Sequence, residues 1–154
     1  MNMEDSGKVS SILARQKAST VWSIDPNATV YNAIQLMDEK NVGALPVLEH
    51  GKLVGIVSER DYTRKVILKG RASKDTPVSD IMTRQVLTVN SSSSITECMR
   101  IMTERHVRHL PVLDGTSLVG ILSVGDVLNW IVWAQKATID NLERYTLAEI
   151  KEQD

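Results

Sequence analysis

The chain has 154 residues, 42% of them hydrophobic and 24% charged, which is the composition of one soluble globular domain rather than of disordered or fibrous sequence. Eighteen Lys and Arg against nineteen Asp and Glu leave a net charge of −1, without the basic excess of a nucleic-acid binder. Six aromatic residues, three Trp and three Tyr, are a poor supply for a base-stacking platform, and the one cysteine, Cys98, excludes an intramolecular disulfide and a cysteine-cluster metal site.

The opening residues, MNMEDSGKVSS, contain acids and no apolar run, so no secretory signal is expected, and the lone cysteine fits a reducing cytoplasm. The most apolar stretch, Val127 to Ala134, is interrupted by Asn129 and falls far short of the roughly 20 residues that span a bilayer. We therefore expect a cytoplasmic protein with no membrane and no nucleic-acid partner.

A shift of 65 residues lays VGALPVLEHGKLVGIVSERD (42–61) on VRHLPVLDGTSLVGILSVGD (107–126), with no gap from Val21/Val86 to Asp61/Asp126. The chain is a tandem duplication joined near Lys69 to Thr76. Each half begins with a short apolar strand, Val21 to Ile24 or Val86 to Val89, followed by a turn at Asp25-Pro26-Asn27 or Asn90 to Ser93. A helix follows, with Val30, Ala33, Ile34 and Met37 on one face, mirrored by Ile95, Cys98, Met99 and Met102. Two strand-like runs, Leu45–Leu48 and Leu53–Val57, flank a hairpin turn at Glu49 to Lys52, and the second half turns at Asp114 to Ser117. A second helix starts at Ser58 or Ser123, each a suitable N-cap, and Gly70 stops the first of these. The expected fold is mixed α+β: two β-α-β-β-α units packed about a pseudo-twofold axis, plus a C-terminal helix. Residues 135–154 lie beyond the repeat and carry Ile139, Leu142 and Ile150 among charges, the pattern of a moderately amphipathic helix that covers the module, contacts a second copy or frays.

The repeat, the order of elements and the pattern h-P-V…G-h-h-(S/T)-x-x-D together resemble the cystathionine-β-synthase (CBS) domain, and the tandem arrangement resembles a Bateman module. The resemblance covers about residues 8–133, with repeat one at 8–70, repeat two at 71–133 and a helical tail at 134–154. The segment GIVSERDYTRKVILKGRASKDTPVSDIMT is similar to small stand-alone CBS-pair proteins of bacteria and plant organelles. What the resemblance implies is sensing, through an adenosine-containing ligand bound in the cleft between the halves.

The residues themselves suit that ligand. Ser58-Glu59-Arg60-Asp61 stands at a strand-to-helix junction, where free N–H groups and the helix dipole favour an anion; Ser58 and Arg60 suit phosphate, and Asp61 suits a ribose diol. Ser123 and Asp126 repeat this without the arginine. Just before the strand, the second half carries Arg108 and His109 where the first has Gly43 and Ala44. By the resemblance, Gly43 and Ala44 give close backbone approach to adenine, while Arg108 and His109 contact phosphate. Arg60 and Arg108, from opposite repeats, are expected to converge on one anionic ligand, with Val21 and Val86 as apolar walls.

Plainer roles compete with these. Ser58 and Ser123 serve equally as helix caps, and Asp61 and Asp126 as first-turn acids. His106 and His109 lack the partners of a metal site, Cys98 has Ala33 as its counterpart in the repeat and reads as packing, and the stretch from Arg60 to Lys74 reads as a solvated cationic face on which some side chains help hold phosphates. Trp130 and Trp133 read as module or dimer packing. With no P-loop, no GxGxxG and no triad, we expect no catalysis. The expected function is a regulatory sensor of AMP, ADP or ATP, assembled as a homodimer and reporting to an unidentified protein partner. The alternatives are an NAD(H) sensor and a ligand-independent dimerisation scaffold.

Overall fold

The computed structural model describes residues 7–16 and 21–152. In chain order its elements are α1 (Val9–Arg15), α2 (Val30–Lys40), β1 (Ala44–Glu49), β2 (Lys52–Ser58), α3 (Glu59–Tyr62), α4 (Ile95–Arg105), β3 (His109–Asp114), β4 (Ser117–Ser123) and α5 (Val124–Glu152). A π-helical turn, Thr63–Ile67, continues α3, and a 3₁₀ turn occupies Val78–Asp80.

The sequence repeat is a repeat of local chemistry. Thr29 caps α2 by accepting the Asn32 N–H at 3.1 Å, and Ser94 caps α4 by accepting the Glu97 N–H at 3.0 Å. The two helices end alike, at Asn41 and His106, both in the left-handed conformation at φ 53°. His106 is therefore a helix terminator, and among the described residues no three His, Cys, Asp or Glu side chains group to hold a metal ion.

Antiparallel β1–β2 and β3–β4 hairpins share one register, Leu45 opposite Val57 and Leu110 opposite Leu122, with the same irregularity after Val47 and Val112. His50 and Gly51 both take positive φ, as a two-residue type I′ turn requires. Helix and hairpin bury one face each in two matched cores. The first holds Val30, Ala33, Met37, Leu45, Val47 and Val57; the second holds Ile95, Cys98, Met102, Leu110, Val112 and Leu122. Burial, then the nearby Glu97 carboxylate, push the Cys98 thiol up to about 11, so it is protonated and inert at neutral pH.

The expected first strand of each half is reduced to a single parallel bridge, Ile24 to Val47 and Val89 to Val112. Ile24 donates to the Pro46 carbonyl and accepts from Leu48; Val89 does the same with Pro111 and Leu113. The next rungs need N–H groups that are missing or diverted. Pro26, Pro46 and Pro111 have none, and the Ser91 N–H goes to the Asp114 carboxylate at 3.0 Å. Proline chemistry ends the ladder after one residue.

The second helices also differ from expectation. In the first half one α turn passes into the π turn and stops before Gly70, at φ 66°. In the second half there is no break at 134: α5 runs for 29 residues, about 43 Å, through the expected tail, of which residues 153 and 154 lie outside the described residues. Trp133 stacks under the Arg15 guanidinium, 3.9 Å from the ring centroid, and Trp130 packs on the second core. Among the described residues no helix is long and apolar enough to cross a membrane.

Two segments cross between the halves. Val9 and Ile12 of α1 lie in the second core, while Val78, Ile81 and Met82 lie in the first. Their backbones match: Val9 N–H donates to Ser93 and Ile95 N–H to Gly7, just as Val78 N–H donates to Ala28 and Val30 N–H to Thr76. Each core thus draws on chain from the other side of the duplication, which ties the halves into one body about the pseudo-twofold axis.

Candidate functional site

Two cavities flank the axis. The larger, about 700 Å³, is lined by Val21, Gly43, Ala44, His109, Ser123 and Asp126. The smaller, about 510 Å³, is lined by Ser58, Arg60, Asp61, Val86 and Arg108, and again by Gly43 and His109. Every residue named from the sequence as a nucleotide contact lies on one cavity or the other. They are divided crosswise, with the pre-strand residues of one half facing the helix start of the other.

The helix starts are the same device twice. The Ser58 N–H donates to Asp61 Oδ2 at 2.9 Å and the Asp61 N–H donates to Ser58 Oγ at 3.2 Å; Ser123 and Asp126 repeat this at 2.8 and 3.1 Å. The Glu59 N–H donates to Gly43, and the Val124 N–H to Arg108. Most first-turn donors expected to face an anion are therefore already committed within the protein. The serines and aspartates do cap helices, as the plainer reading held, and they do so on cavity walls.

The two aspartates are not equally available. Asp61 Oδ1 pairs with Lys65 Nζ at 3.1 Å, whereas Asp126 has no ion-pair partner among the described residues. Asp126 is thus the carboxylate better placed to accept from a diol.

Charge divides the cavities more sharply. Arg60 and Arg108 do converge on the smaller one, joined by Arg64, one helical turn beyond Arg60. Arg108 first, then Arg64, hold the Arg60 pKa below its ordinary value, the effect of like charges gathered on one wall. His109 is held below its ordinary value of 6.5 by burial, opposed by Asp126 and reinforced by Arg108. Its imidazole is therefore mainly neutral at pH 7 and, as a neutral ring, keeps one N–H to donate.

In the larger cavity the only ammonium on the wall among the described residues, Lys40, lies 4.1 Å from the Trp22 ring centroid and is engaged there. Leu13, Val119 and Ile121 complete a largely apolar wall. Leu13 went unnoticed in the sequence because α1 did. Its signal is the run Val9-Ser10-Ser11-Ile12-Leu13, which recurs as Val78-Ser79-Asp80-Ile81-Met82, four residues out of step with the main repeat.

Comparison with known proteins agrees with this architecture. The family model for the CBS domain matches residues 9–67 and 78–132. The chain is 37% identical, over 93% of its own length and 75% of the relative's, to the CBS domain-containing protein CBSX3, mitochondrial, of Arabidopsis thaliana. A solved structure of a Burkholderia ambifaria protein with CBS domains is 46% identical with a TM-score of 0.80, over 83% of this chain and 96% of that one. The structure of CBSX2 in complex with AMP is 29% identical with a TM-score of 0.68, over 83% of this chain and 98% of that one. Two matched cores, two crossed cavities and these likenesses converge: the chain belongs to the CBS-domain family and carries two CBS domains in tandem.

Proposed function

We propose that this protein is a non-catalytic regulator that binds an adenine nucleotide between its two CBS domains, with the phosphates in the arginine-lined cavity. The observation that carries the reading is the convergence of Arg60, Arg64 and Arg108, drawn from both halves, on one cavity wall, where the ion pairs among the described residues leave Arg60 and Arg108 without a carboxylate partner. A phosphate relieves that repulsion and gains charge-assisted hydrogen bonds. Val86 supplies an apolar wall for the base. The likeness to an AMP complex supports an adenosine ligand. Because the cavity is built from both domains, a bound nucleotide favours one arrangement of the halves over others, and that preference is the signal a protein partner reads. The exposed apolar residues of α5, among them Leu128, Val132 and Leu142, suit the homodimer expected from the sequence.

Isothermal titration calorimetry against AMP, ADP, ATP, NAD⁺ and NADH tests this. Saturable binding of a nucleotide, weakened in Arg60→Ala, is the expected result. No binding across the panel, with intact dimers, would instead support the ligand-independent scaffold.

A further inference from the structure

We infer that His109 couples the two cavities, so that occupation of the arginine-lined one is felt in the other. This rests on the reading of the cavities as ligand sites and specifies how they are regulated. Gly43 and His109 are the residues common to both linings. A Cβ built on Gly43 would stand 3.5 Å from both Cε1 and Nε2 of His109, so the imidazole lies directly against the glycine backbone and the partition there is one ring and one peptide thick. Apart from its chain neighbours, no other described residue comes within 4 Å of that point.

The groups on the two sides of this ring are unlike. Asp126, on α5, faces it from the larger cavity, and Arg108 stands beside it, with Arg60 and Arg64 on the rim of the smaller. The partition is also wired to both helix starts. The Gly43 carbonyl accepts from Glu59 at 3.1 Å, at the head of the helix carrying Asp61, and the Arg108 carbonyl accepts from Val124 at 2.9 Å, at the head of the helix carrying Asp126. A polyanion drawing Arg108 toward Arg60 therefore displaces the peptide that precedes His109 and anchors α5, and the ring transmits the movement to Ala44, Trp22 and Asp126. The pseudo-symmetric partner of His109 is Ala44, which has no ring to transmit anything, so one residue provides the link.

Inorganic tripolyphosphate, a polyanion without a base, serves as the probe, and the Trp22 indole N–H resonance, assigned with Trp22→Phe, reports the larger cavity. Tripolyphosphate binding should shift the Trp22 resonance in the unmodified protein. In His109→Ala the shift should be lost even at tripolyphosphate concentrations that calorimetry on that variant shows to be saturating. His109→Gln, which keeps a polar side chain but not the ring, should lose it too and serves if the alanine variant melts early. A silent Trp22 in the unmodified protein despite binding, or a shift that persists in both His109 variants, overturns the coupling. A shift that survives Arg60→Ala/Arg108→Ala also overturns it, because the polyanion then sits at Trp22 itself. Failure of both tripolyphosphate and AMP to bind removes the functional reading, and the coupling with it.

Discussion

The two cavities descend from one repeat and no longer share a chemistry. Ser58 and Asp61 have their counterparts in Ser123 and Asp126, hydrogen-bonded the same way, and Val86 has its counterpart in Val21. The cations do not repeat. Arg60 stands where the other half has Gly125, Arg64 where it has Asn129, and Arg108 where it has Gly43. Duplication preserved the groups that start helices, because losing them costs stability. The side chains projecting into the cavities were free to diverge, and all three arginines now serve one cavity. On the proposed reading, function resides in that difference rather than in the frame.

The largest expected effect comes from erasing the difference. Arg60→Ala/Arg108→Ala should weaken AMP binding by roughly a hundredfold, from the loss of charge-assisted hydrogen bonds, while calorimetry on Asp61→Ala should show a smaller loss, since Asp61 is already held by Ser58 and Lys65. Equal losses would mean that charge does not set the site apart.

Next come the paired glycines of β2 and β4. A Cβ at Gly55 would meet Met82 Sδ at 2.6 Å and the Thr83 carbonyl oxygen at 3.0 Å, whereas at Gly120 the one close atom is Leu13 Cδ2, at 2.6 Å on a side chain free to turn. Gly55→Ala should cost about 1–3 kcal/mol in urea unfolding and Gly120→Ala clearly less. The reverse order would show that α1 holds Leu13 more rigidly than the strand holds Thr83.

Smaller and symmetrical effects are expected at the caps. Ser58→Ala and Ser123→Ala should each cost about 1 kcal/mol, because each removes an acceptor for an N–H of the first helical turn. Markedly unequal costs would break the equivalence of the two helix starts.

The smallest effect is that of pH. Since the His109 pKa is depressed in the folded protein, the unfolded chain binds the extra proton first. The contribution to stability is complete above about 6.5, the ordinary value, and is lost as pH falls through the lower folded value. Thermal melting from pH 7.5 to 5 should show this decline, reduced in His109→Gln.

Much of this was legible in the sequence, because the helices and hairpins are specified locally. Val30, Ala33 and Met37 at helical spacing are all buried, as are Ile95, Cys98 and Met102. The candidate residues on the cavity walls were legible for a related reason: the repeat showed where Ser, Asp and Arg recur and where they do not. What stayed hidden is nonlocal. The opening strands fail on the hydrogen-bonding deficits of Pro46 and Pro111, which lie in other segments of each half. α1 was overlooked because its repeat is out of step, and its apolar face finds a core only in the opposite half. The lowering of the His109 pKa comes first from burial, which no spacing reveals.

The most direct test of the central claim is a crystal structure with AMP bound. The account predicts the phosphate within hydrogen-bonding distance of Arg60 and Arg108, with the base against Val86. A phosphate beside Ser123 and Asp126, with the arginine cavity empty, would contradict it.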